Sequence, residues 1–375
     1  MKKNWLILTT GFALFAMFFG SGNLVFPITV GKESQGHYLL ASMGILLTGV
    51  VVPFLGVLGM LLYKGSLKDF FSSFGKVGTF LFSFFALAIM GPFGVLARCL
   101  TVAHGAVELI LPSASLWVTS LILCTIIFIL TVNKNKIVSL LGSMLTPLLL
   151  LAIAVITFFG ITGSHNPTNI ENYGFEAFKT GFFQGYQTMD LLAAFFFSTF
   201  VIRHLQTKDE KSSLKVFLRS SLVGASILSL VYVALVFLGH NFGPFLQDKQ
   251  PQEMLGTISL IALGNFAAPC VSVTVILACM TTAIVLTSLF SDFIKNEVAK
   301  GKIKEKYSLL ITLIIGFSVS TLDFAGIAKI LGPILEVIYP ALIMLTLVNI
   351  AGKIWGFKQT HWPVTALVAF KIFTL

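Results

Sequence analysis

A chain of 375 residues that is 56% hydrophobic and 11% charged, with a mean hydropathy of +0.95, lies far from the roughly 25% charged residues of a soluble domain. Its net charge of +10 would suit nucleic acid if it were clustered, but it is not. Most Lys and Arg fall in alternate loops (Lys2-Lys3, Lys64 to Lys76, Lys134/Lys136, Arg203 to Arg219, Lys295 to Lys306, Lys353/Lys358), the positive-inside pattern of a multi-pass membrane protein with a cytoplasmic N-terminus.

The first apolar run, Trp5 to Phe19, is too long for the 7–15-residue core of a secretory leader and reads as a retained helix. It breaks at Gly20-Ser21-Gly22-Asn23 and resumes through Leu24-Val25-Phe26-Pro27. Two glycines and an Asn strip helix propensity at bilayer depth, where free backbone groups must meet protein, water or a ligand. Further spans are expected near 38–63, 77–110, 115–132 and 137–161, then 178–202, 214–239, 268–294, 307–322, 328–350 and 361–375, about eleven in all. The third is about 50 Å of helix if continuous, and Pro92 marks a kink in it. The sixth is interrupted again, over Gln184-Gly185-Tyr186-Gln187-Thr188-Met189-Asp190. Within the eighth, Thr281 and Thr282 stand one turn after Ala278. Such hydroxyls either bond the helix's own carbonyls or help to cage a monovalent cation. The four cysteines have no metal-ligand spacing and read as small buried hydrophobes, and no nucleophile–base constellation points to an enzyme.

Five spans precede the second break and five more begin with it. An odd number of spans per repeat inverts the second copy, so the expected domains are 1–162 and 163–352 as inverted repeats, with 353–375 an additional C-terminal span. Broken helices at matching positions of inverted halves point to a transporter binding site. The half-helix after Gly22 offers amides and a positive dipole end to a carboxylate. The half-helices ending near Phe19 and Phe183 offer carbonyls to an ammonium or Na⁺. A zwitterionic amino acid with an apolar side chain fits both.

The stretch Gly11-Phe12-Ala13-Leu14-Phe15-Ala16-Met17-Phe18-Phe19-Gly20-Ser21-Gly22-Asn23-Leu24-Val25-Phe26-Pro27 resembles the opening signature of branched-chain amino-acid:cation symporters, the LIVCS or BrnQ-type family. The blocks Gly91-Pro92 to Arg98, Gly185 to Leu191, Gly332-Pro333-Ile334-Leu335-Glu336 and Tyr339-Pro340 extend the likeness along the chain. The resemblance implies a LeuT-like 5+5 inverted-repeat fold with helices 1 and 6 broken, importing Leu, Ile and Val with Na⁺ or H⁺. Carried over by position, Gly20, Ser21, Gly22 and Asn23 form the carboxylate-binding turn, with the Ser21 and Gly22 amides on the carboxylate. Gln184, Tyr186, Gln187 and Thr188 face the ammonium and side chain. The carbonyls of Ala16, Phe19 and Ala278 with the hydroxyls of Thr281 and Thr282 form a Na⁺ site. The family usually has twelve spans, against eleven read here.

Arg98, Asp190 and Glu336 are charges at membrane depth, which is a functional sign by default. They serve either as structural pairs or in ion coupling. The expected protein is thus a Na⁺-driven importer of branched-chain amino acids in the cell (inner) membrane, with a small amino acid and the bilayer as partners and no nucleic acid. The rival readings are an importer of another apolar amino acid such as methionine, H⁺ as the coupling ion, or a non-transporting amino-acid sensor.

Overall fold

The first span is bent by 74° between Trp5–Ala16 and Ser21–Glu33, and that bend organises the centre of the molecule. The computed structural model describes residues 2–132, 137–162, 173–206, 210–264, 268–356 and 362–374. Among these, every regular element is helical. α1 (Lys2–Phe18) and α2 (Ser21–Glu33) form the first span; Gly20 between them is extended, at φ −121° and ψ −164°. The second half-helix therefore starts at Ser21, two residues before the sequence suggested. α3 (Tyr38–Leu46) continues through a π-helical turn, Leu47–Val51, into α4 (Val52–Leu62), and the short α5 (Leu67–Phe70) follows.

The kink expected at Pro92 is a four-residue break within one long span, Ser72–Glu108. α6 (Gly75–Met90) ends and α7 (Val95–Glu108) begins across Gly91-Pro92-Phe93-Gly94, where Pro92 brings no amide to continue the ladder. α8 (Leu116–Val132) and α9 (Ile137–Thr162) complete the first half. The sixth span consists of α10 (Gly174–Gln187) and α11 (Asp190–Gln206). Its helix runs to Gln187, four residues beyond Phe183 where it was expected to end, because Arg98 satisfies the Gln187 carbonyl and side chain. The turn is confined to Thr188 and Met189, and Met189 adopts a left-handed φ of +62°. A non-glycine residue held in that region costs about 1–3 kcal/mol, a strain that collects at functional sites.

The rest of the chain is α12 (Glu210–Asn241), α13 (Met254–Leu263), α14 (Ala268–Phe293), α15 (Glu305–Ser320), α16 (Asp323–Trp355) and α17 (Trp362–Thr374). α13 fell in a stretch read as connection. Among the described residues, five helices are long and apolar enough to cross a membrane, six with the bent first span, and two shorter apolar helices accompany them. The remaining expected spans occur as split or shorter helices. Leu222, Leu230, Phe158 and Trp355 lie on the outside, as lipid-facing positions require.

Two bodies share the helices. In one, α12 packs on both α1 and α2, and α10 packs on α2 and α3. In the other, α14 packs on α7, α8, α9 and α15. The first body is closed backbone to backbone. A Cβ added to Gly181 would overlap the Ala41 carbonyl, one on Gly44 the Phe178 carbonyl, and one on Gly239 the Ile28 carbonyl. Small residues of this kind let membrane helices approach closely. Gly181→Val is therefore expected to cost at least about 3 kcal/mol, the upper end for overpacking. A fall in the melting temperature of the detergent-purified protein would show it; an unchanged one would contradict this packing.

Candidate functional site

The two breaks meet face to face. A Cβ placed on Gly22 would lie 3.4 Å from the Thr188 Cα and 3.4 Å from the Phe26 ring. Side chains then tie the breaks together. Gly20, the residue before α2, donates its amide to Asn23 Oδ1 at 3.1 Å. Asn23 Nδ2 donates onward to Asp190 Oδ2 at 2.7 Å and lies 2.6 Å from the Tyr232 hydroxyl, which itself donates to Asp190 Oδ2 at 2.9 Å. Asn23 lies in the first turn of α2, Asp190 opens α11 and Tyr232 belongs to α12, so one buried cluster joins both breaks to the seventh span. Asp190 is 2% exposed.

The backbone at the first break has groups to spare. Gly20 turns its amide to Asn23 and not back to Ala16, which releases the Ala16 carbonyl from the helical ladder. The Gly22 amide, at the positive end of α2, makes no bond among the described residues, as the first turn of a helix leaves it. Ser21 differs from expectation. The Cys99 thiol donates to its hydroxyl at 3.4 Å, and its amide also faces that sulfur. Cys99 in turn lies beside the buried Cys279. Two cysteines read as inert packing thus line the back of the turn, and Gly22 is the better anion donor of the expected pair.

The second break departs further. Arg98, 1% exposed, gives Nη1 to the Gln187 carbonyl at 2.7 Å and Nη2 to Gln187 Oε1 at 2.8 Å. Its guanidinium lies over the Phe26 and Phe324 rings, 5.0 and 5.4 Å from their centroids. The carbonyl end of α10, expected to receive an ammonium or Na⁺, is thus closed by the protein's own cation. Gln187 is occupied by Arg98. Tyr186 packs at a tilt against Tyr339, ring centroids 4.9 Å apart, and edge-on against Phe182 and Phe183. Thr188 donates to the Gly185 carbonyl at 2.9 Å, and Gln184 is half-buried on α10. An ion pair between Arg98 and Asp190 does not form, since each has other partners. Glu336 is half-buried on α16, one turn beyond Gly332, which abuts the Gln187 amide.

For the cation set, Thr282 stands against the first break: a Cβ on Gly20 would lie 3.4 Å from its methyl and 3.8 Å from its hydroxyl. Thr281 and Thr282 both donate to the Ala278 carbonyl, at 2.9 and 3.2 Å. Their hydrogens are used, while oxygen lone pairs remain for a cation that could share Ala278 with the released Ala16 carbonyl. The Phe19 carbonyl, at the same helix end, also lacks an amide partner among the described residues. This all-oxygen, uncharged set suits a monovalent cation. Elsewhere, a cavity of about 750 Å³ opens between α6, α11 and the end of α14, lined among others by Lys76, Thr79, Phe196, Leu289 and Glu297.

Sequence reasoning gave no role to Tyr232 or Cys99, and Tyr339 entered it only as part of the Tyr339-Pro340 block. Tyr232 and Cys99 lie in apolar runs, and only tertiary packing gives them a role. A tyrosine in the span that packs on a broken helix was the one available signal.

A model of branched-chain amino acid transport proteins matches residues 3–375. A protein of Staphylococcus epidermidis strain RP62A, provisionally described as a branched-chain amino acid carrier, is 29% identical over 397 residues, covering 98% of this chain and 86% of its own. Its counterpart in strain ATCC 12228 is 30% identical over 392 residues with the same coverage. Among solved structures, the inward-facing conformation of Mhp1 is similar with a TM-score of 0.63 at 12% identity, covering 92% of this chain and 76% of that one. A manganese transporter of Eremococcus coleocola is similar at 0.61 and 15%, covering 98% and 85%. At such identities the likeness concerns the fold, that of LeuT-like transporters.

Proposed function

The chain belongs to the branched-chain amino acid transport protein family, and on that premise we propose that it imports leucine, isoleucine and valine together with Na⁺ by alternating access. The observation that carries this reading is the meeting of two helix breaks, Gly22 against Thr188, deep in an apolar helical protein. The substrate carboxylate sits on the Gly22 amide at the positive end of α2, and the apolar side chain lies among Phe26, Tyr186 and neighbouring residues. The ammonium takes carbonyls at the end of α1, since Arg98 closes the end of α10. Na⁺ occupies the oxygen set of Ala16, Phe19, Ala278, Thr281 and Thr282.

In this reading residues 1–162 and 163–352 are the inverted repeats, and the glycine-closed body of α1, α2, α3, α10, α11 and α12 moves against the body around α14. The cavity beside Phe196 and Lys76 is the vestibule through which the amino acid leaves on the cytoplasmic side, where the N-terminus also lies.

Leucine binding by the purified protein tests the proposal. At about 100 times Kd, leucine is expected to stabilise the fold by about 2.7 kcal/mol. The gain should be read as a rise in melting temperature, shared by valine and isoleucine and larger in NaCl than in choline chloride. No stabilisation by any of the three would contradict the substrate class; equal stabilisation in both salts would contradict the Na⁺ linkage.

A further inference from the structure

We infer that Asp190 is a proton-binding site that fills together with the amino acid. This inference rests on the substrate reading above and adds to it an ion and its residue. Asp190 is buried at the junction of both breaks, and its Oδ2 receives bonds from Asn23 Nδ2 and the Tyr232 hydroxyl. The groups facing it are Asn23 from α2, Thr188 from the break, Tyr232 from α12 and Tyr339 from α16. None of these carries a positive charge. Of the other elements packed on α11, α4 has no titratable residue, while α1 and α6 carry lysines only in their first turns. Arg98 is the one buried cation nearby among the described residues, and it is bound to Gln187.

A bare carboxylate at this depth without a counter-ion is unfavourable, so the site favours a bound cation. The surrounding atoms choose which. A metal ion needs oxygen lone pairs, yet Asn23 presents its NH₂ to Asp190 because its Oδ1 is taken by the Gly20 amide. Donors of this kind suit a carboxyl group that alternates between ionised and protonated forms. On protonation one carboxylate oxygen takes a proton from hydronium in the solvent, leaving water, becomes a donor and reverses the bond with Tyr232; on release the proton passes back to water as hydronium.

Coupling to substrate follows from position. Asn23 adjoins Gly22, whose amide receives the substrate carboxylate, so an ionised Asp190 would repel that carboxylate across a single side chain. Protonation removes the repulsion. Substrate binding must then favour protonation by the same factor. The cluster also joins α2, α11 and α12, so the proton arrives where both breaks are fastened.

The test uses the full chain in detergent, weakly buffered with a pH-indicating dye, with leucine added stepwise across about pH 5 to 9. It is run in NaCl and again in choline chloride. The wild type is expected to take up protons on binding leucine, approaching one per bound leucine on the alkaline side, and with Na⁺ held constant. Asp190→Asn abolishes that uptake and makes leucine affinity independent of pH. Should Asp190→Asn fail to fold, Tyr232→Phe decides: losing one donor to the anion moves proton uptake to higher pH. Leucine binding without proton uptake at any pH overturns the inference and leaves the transporter reading standing, as does unshifted uptake in Tyr232→Phe. Absence of leucine binding to the folded wild type overturns both.

Discussion

Gly22→Leu abolishes leucine uptake, lowering its initial rate at least about 100-fold, or about 2.8 kcal/mol, while the protein still inserts and purifies as a folded species. Gly22 is where the first break meets the second. A methyl group there would touch the Phe26 ring and the Thr188 Cα at 3.4 Å, an ordinary contact distance. Anything longer enters the Thr188 backbone or covers the Gly22 amide. Gly22→Ala is therefore expected to keep uptake within a small factor of wild type, which separates a blocked site from a damaged fold. Initial rates in proteoliposomes, set beside melting temperatures of the two variants, check this. Wild-type uptake by Gly22→Leu would reject the carboxylate turn.

The Thr281→Ala, Thr282→Ala double variant is expected to raise the Na⁺ concentration for half-maximal uptake more than about tenfold, equivalent to about 1.4 kcal/mol. The hydroxyls bond only to Ala278 within their own helix, so their loss has little effect on packing. Thr282 is the residue nearest to a Cβ on Gly20, at 3.4 Å. Thr282→Ala alone should carry the larger share of the effect, and Thr282→Ser, which keeps the oxygen, should restore it. Na⁺ activation curves of uptake at fixed leucine provide the measurement. A double variant with the wild-type curve would remove the cation from this set.

The first break was legible because its residues betray it: Gly20-Ser21-Gly22-Asn23 has poor helix propensity in an otherwise apolar run. The interruption near Pro92 was legible for a similar reason. The second break was found but placed too early. Gln184 and Gln187 look like breakers in an apolar span, yet Gln187 remains helical because Arg98, 89 residues earlier in the chain, satisfies its carbonyl and side chain. The residue that leaves the helix is Met189, at φ +62°, an apolar side chain that gives no local sign of a turn. The same limit hid Tyr232. Its hydroxyl matters only because α12 packs along both α1 and α2, and no pattern within Glu210–Asn241 distinguishes it from a tyrosine facing lipid. Asp190 and Arg98 stood out as buried charges, but their partners could not be read. A pairing of opposite charges was the natural expectation; the fold instead gives one to an amide cluster and the other to a helix end. α13, only 10 residues long, was too short to announce itself as a span.

The most direct test of a transporter built on two facing breaks is labelled-leucine uptake into proteoliposomes, under an inward Na⁺ gradient, an inward H⁺ gradient and neither. Concentrative uptake that requires the Na⁺ gradient, and that excess valine and isoleucine suppress, is the predicted result. Folded protein that accumulates no leucine under either gradient would contradict it.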